Sequence, residues 1–96
     1  MNKFKAIILF ILFTSSFLFS QTNYYVAKNG SNSNSGTSLS TPFLTISHAI
    51  SQINAGDRLY IRRGIYHEAI IIDNIDSSLG NETLISNYNN EEVVID

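Results

Sequence analysis

Ninety-six residues without a cysteine, carrying a formal net charge of −2, suit one small domain at most. The missing cysteines exclude disulfides and thiolate metal sites. With only six basic residues against eight acidic, the chain also lacks the basic footprint of a nucleic-acid binder.

The N-terminal segment reads as an address. Lys3 and Lys5 precede the unbroken apolar run Ala6 to Phe13. Thr14-Ser15-Ser16 interrupts it, and Phe17-Leu18-Phe19-Ser20 leads into polar Gln21-Thr22-Asn23. That is the layout of a secretory signal peptide. A bilayer span needs about 20 apolar residues, so the run is too short and too interrupted to serve as one. We place cleavage after Ser20, where composition changes sharply, although this puts Leu18 at the −3 position. Cleavage after Ser16 would put the small Thr14 there instead. Residues 1–20 are thus expected to leave a product that is secreted, at the cell surface or periplasmic, with no membrane span. That product keeps four basic and eight acidic residues, a net −4.

Residues 23–27, Asn-Tyr-Tyr-Val-Ala, carry the aromatic and β-branched residues of a short strand. The following stretch, 28–41, is rich in Ser, Asn, Thr and Gly and reads as an exposed loop. It contains no carboxylate, so it is a poor calcium cradle. A helix of about three turns is expected next. Thr41 is its expected cap, Pro42 its first residue and Gly56 its left-handed close. Phe43, Ile46, Ala49, Ile50 and Ile53 form its apolar stripe, with His48 on the surface.

From Asp57 onward the pattern is that of strands. Arg58 to Arg62 alternates, and a turn at Arg63-Gly64 precedes Ile65 to Glu68. The apolar run Ala69 to Asp73 follows, then a polar stretch from Asn74 to Glu82 and two further β-rich blocks, Thr83 to Tyr88 and Glu92 to Asp96. Glu68 to Asp73 echoes Glu91 to Asp96 at an offset of 23. Leu59-Tyr60-Ile61 echoes Thr83-Leu84-Ile85 at an offset of 24. Self-similarity at such a period is the mark of a solenoid, and continuously apolar short strands suit parallel stacking.

These residues resemble the N-terminal signature of secreted pectate-lyase-like right-handed β-helix proteins. The resemblance runs through Tyr25-Val26, Asn29-Gly30-Ser31, Gly36-Thr37, Pro42-Phe43-Leu44-Thr45-Ile46, Ala49, Gly56-Asp57 and Gly64-Ile65-Tyr66-His67-Glu68. It covers nearly all of residues 23–68. Two positions depart from it: Ala55 stands where a proline usually precedes Gly-Asp, and Asn32 where the loop often has an aspartate. The implied fold is an all-β solenoid, a right-handed parallel β-helix with one N-terminal capping α-helix. Residues 21–56 would supply strand, loop and cap, and residues 57–96 the first one to two coils. Because stacked repeats need several units, the 96 residues are expected to be a fragment.

The resemblance implies a parent protein acting on or binding polysaccharide, possibly acidic, as lyase or glycoside hydrolase, with Ca2+ possible in the full-length parent. The alternatives are a non-catalytic surface or adhesin-type β-helix and a small secreted binding module. In the lyases a calcium-bound uronate loses a proton to lysine or arginine on middle coils, and related hydrolases use paired acids. No catalytic residue, cofactor site or metal site is assigned here, and the chain alone is expected to be inactive. Arg62-Arg63 at a strand end could meet an anionic sugar, but a solvated turn pair is the reading preferred for them. His67 and Glu68, as strand neighbours, should face opposite ways. Tyr66 is expected to pack and Glu68 to be a turn or backbone acceptor. Asp73, Asn74 and Asp76 are the nearest approach to a metal loop, and their spacing fails the EF-hand pattern.

Overall fold

The computed structural model describes residues 21–72 and 82–96. The expected signal segment and the Asp73–Asp76 stretch lie outside them. Among the described residues, five strands and one short helix follow in the order β1 (Asn23–Val26), α1 (Ile46–Gln52), β2 (Arg58–Ile61), β3 (Gly64–Tyr66), β4 (Leu84–Asn87) and β5 (Val93–Ile95). The result is β-rich and solenoid-like. Strands β1, β2 and β4 stack in that order in one parallel sheet, and β3 and β5 pair in parallel in a second. Parallel neighbours need long crossovers. The loop and α1 supply the first, between β1 and β2.

Alternation along the strands sorts the side chains. Tyr24, Leu59 and Ile85 are in register, as are Val26, Ile61 and Asn87. Val26, Leu59 and Ile61 are buried, with Tyr24 and Ile85 packed against the same core. Tyr25, Tyr60 and Ser86 form the alternate row. Tyr66 enters the core from β3, and its hydroxyl donates to the Arg62 carbonyl at 2.7 Å. A buried phenol needs such a partner.

The expected apolar stripe is buried as a set: Phe43, Ile46, Ala49, Ile50 and Ile53 all belong to the core. The helix itself begins later than its sequence signals suggest. Thr45 is the N-cap, its hydroxyl accepting from the His48 amide, and Ile53 is the C-cap. Pro42 is therefore not its first residue and Thr41 not its cap. The reason is tertiary. The Phe43 amide donates to the Tyr25 carbonyl at 2.9 Å, and the Phe43 carbonyl accepts from Ala27 at 3.0 Å. This bridge to β1 holds Phe43 extended and defers the helix by a turn. Gly56 does take a left-handed φ of 87°, but in the turn after the helix.

That turn is fixed by Asp57, a buried carboxylate. It accepts from the amides of Thr22 at 3.1 Å and Asn54 at 2.9 Å. The polar stretch 28–41 is likewise organised. Asn32 accepts from the amides of Leu44 and Thr45, and Asn34 donates to the Pro42 carbonyl. Gly36, at φ 75°, lies where any Cβ would strike the Phe43 ring, so glycine alone lets the loop close over that ring.

The repeat register differs from the sequence echo. Arg58 faces Leu84, 26 positions on, and Gly64 faces Val93, 29 positions on. The run Ala69 to Ile72 forms no strand, and Ile71 is 76% exposed. Pairing follows which side chains reach the core, and Tyr66 and Leu59 reach it where Ile71 does not. Matching similar letters at a fixed offset missed the difference.

Candidate ligand-binding site

Stacked strands stack their corners. The turn after β1 carries Ala27, Lys28 and Asn29, the bend after β2 carries Arg62 and Arg63, and the turn after β4 carries Glu91. These six residues line one open cleft of about 310 Å³. The third corner owes its shape to Asn89 and Asn90, which adopt left-handed φ values of 49° and 59°. Asparagine tolerates this region better than most residues. The Glu91 amide closes the turn onto the Tyr88 carbonyl, and Asn87 donates to the Glu91 carbonyl at 2.8 Å.

Glu91 is thereby aimed at the corner beneath it. Arg62 Nε donates to its Oε1 at 2.8 Å and Nη2 to its Oε2 at 3.0 Å, a two-pronged contact. The Arg63 amide also donates to Oε1, at 3.0 Å. The Arg62 fork and that amide hold the Glu91 carboxyl down to about 2. Reciprocally, the hydrogen bond to Glu91 raises the Arg62 pKa. The Arg62 guanidinium also lies 4.9 Å from the centre of the Tyr88 ring. Tyr88 meets Tyr25 and Tyr60 edge-on, at 6.1 and 6.3 Å, while those two stack on each other at 5.8 Å. The cleft therefore borders a tyrosine cluster on the outer face of the first sheet. Lys28 is exposed, with its ammonium held 4.8 Å over the Tyr66 ring.

The other residues singled out in the sequence do not join this cleft. Glu68 accepts from the amides of Ile46 and Ser47 and from the Ser47 hydroxyl, at 2.9–3.0 Å. It is the backbone acceptor expected, spent on the first turn of α1. Partial burial raises its pKa, but the two amides, the hydroxyl and the nearby Lys28 charge outweigh that and lower it. His67 points away, exposed, with Nδ1 3.3 Å from Asp96. The two diverge as expected, although both lie past the end of β3 and not on a strand. His48 packs edge-on against Phe43 at 4.7 Å. Arg62 and Arg63 are more than a solvated pair, because Arg62 is ion-paired and both line the cleft. Lys28, Asn29, Tyr88 and Glu91 were missed. An offset of 29 would have placed Glu91 above Arg62, and the echo at 23 concealed it. Among the described residues no group of three His, Cys, Asp or Glu could hold a metal, and no helix is long and apolar enough to cross a membrane.

The chain matches no family profile. It is 41% identical over 71 residues to "Uncharacterized protein YwoF" of Bacillus subtilis (strain 168). The match takes in 74% of this chain and 15% of that protein. Among solved structures it is similar to "The complex structure of XylC with xylose", with a TM-score of 0.69 and 33% identity. That similarity covers 75% of this chain and 11% of XylC. The chain thus spans a small part of the length of each protein.

Proposed function

We propose that this chain is the N-terminal part of an exported right-handed parallel β-helix protein that binds or processes polysaccharide. The observation that carries the reading is the parallel stack β1-β2-β4, with β3 on β5, in a chain 33% identical to part of a xylose-bound protein. Right-handedness is favoured because about 98% of parallel crossovers within a sheet turn that way. Helix α1, packed with its stripe in the core, fits a cap over the first coil. Export rests on the Lys-apolar-Ser layout of residues 1–20.

Within these residues the reading favours binding over bond cleavage. Glycoside hydrolysis uses two carboxyl groups roughly 5–9.5 Å apart across the bond, and the cleft has one carboxylate, already engaged by Arg62. Titration calorimetry of the full chain with xylo-oligosaccharides and with a uronic-acid polymer tests the reading. Saturable binding of at least one is expected, and heat of dilution alone from both would overturn it. Mass spectrometry of extracellular material should show a terminus at Gln21, and a cytoplasmic protein retaining Met1 would refute export.

A further inference from the structure

Charge is unevenly spent in this fold. After residue 20 the chain has four Lys and Arg residues against eight Asp and Glu. Three of the four cations, Lys28, Arg62 and Arg63, nevertheless converge on the cleft, although Lys28 lies more than thirty positions from the arginines in sequence. Glu91 is the single carboxylate there, and it is satisfied by Arg62. Among the described residues neither Lys28 nor Arg63 has an ion-pair partner. An acidic chain that gathers three of its few cations at one concave place, two of them without an ion-pair partner among the described residues, is complementary to an anion.

We propose that this corner cleft binds the carboxylate of an acidic sugar unit within a polysaccharide, with Lys28 and Arg63 as the contacting cations. This rests on the carbohydrate reading above. Arg62 then acts as a positioning residue. Its fork to Glu91 ties the second and third corners together and leaves Arg63 facing the cleft, while the Tyr66 ring holds the Lys28 ammonium on the other side. The adjoining tyrosine cluster offers aromatic edges and hydroxyls to the flanking pyranose units, contacts suited to a surface half apolar and half hydroxylated.

The test is titration of the full chain with a xylo-oligosaccharide bearing one glucuronic acid, with the same oligosaccharide unsubstituted, and with acetate. We expect the acidic oligosaccharide to bind about tenfold more tightly than the neutral one, with the advantage shrinking as salt screens the cleft. Lys28→Gln and Arg63→Gln should each remove most of that advantage. Arg58→Gln, which deletes the one Lys or Arg after residue 20 that does not line the cleft, should change it less than about twofold. Equal affinity for the acidic and neutral oligosaccharides would overturn this inference and leave the carbohydrate reading standing. Binding of neither oligosaccharide would overturn both. Acetate binding as tightly as the acidic sugar, or Arg58→Gln weakening it as much as Lys28→Gln, would reduce the cleft to general electrostatics and also refute the site.

Discussion

Asp57, Glu68 and Glu91 each tie chain segments together by the same chemistry, a carboxylate accepting two or more hydrogen bonds, at least one of them from a distant part of the chain. Asp57 is the most buried of them, and replacing it leaves the Thr22 and Asn54 amides without that acceptor. Asp57→Ala should therefore cost about 2–3 kcal/mol, read as a fall in Tm of roughly 10 °C or more. A shift within a degree or two would show that water replaces the carboxylate. Glu68 and Glu91 add a pH dependence. Both have folded pKa values below the unfolded carboxylate range of about 4.3, with Glu91 at about 2. Their stabilisation is complete above the unfolded value and is lost as pH falls toward the folded value. Tm should drop between about pH 4.5 and pH 2, less steeply in Glu91→Gln, and a parallel drop in that variant would exclude Glu91 as a contributor. At this scale much was legible in the sequence. Tyr66 packs, Glu68 accepts from backbone, and His67 and Glu68 diverge, as expected, although the last two lie just past the end of β3. Glu91 was illegible because its partner is set by coil register and not by local pattern.

Helix α1 was legible in its buried face and not in its ends. The stripe repeats at 3.6 residues wherever the helix starts, whereas Phe43 is drawn into a bridge with Val26 that no local signal announces. Proline at 42 suits that extended approach as well as it suits a first helical turn. The buried stripe makes a sharp prediction. Ile50, only 9% exposed, contacts the core between the helix and β1–β2. Ile50→Asp buries an unpaired charge and should cost about 3–5 kcal/mol. Ser51→Asp, one position on and exposed, should leave Tm within about 3 °C. Equal effects from the two would place the stripe outside the core. Strands β1 and β2 were readable from composition, because aromatic and branched apolar residues fill three of the four positions in each.

At the scale of the molecule, everything in the cleft depends on how the parallel strands stack on one another. Three corners meet because β1, β2 and β4 are in parallel register, and Glu91 reaches Arg62 because β5 lies over β3. The sequence echo implied another stack, with the Ala69–Ile72 run under the last block. It failed because the stacked strands share inward positions and order while the segments between them differ in length. Engineered disulfides separate the two registers. Parallel neighbours lie about 4.8 Å apart, within the Cα range a disulfide spans, and the chain has no native cysteine to interfere. Ile65 and Val94 are register partners, and both are exposed. Oxidation of the Ile65→Cys, Val94→Cys double variant should form an intramolecular crosslink rapidly and nearly to completion. The Ile71→Cys, Val94→Cys pair, spaced at the offset of the echo, should remain mostly reduced under the same oxidant. The opposite result, with the second pair crosslinking and the first reduced, would contradict the stack and the cleft built on it.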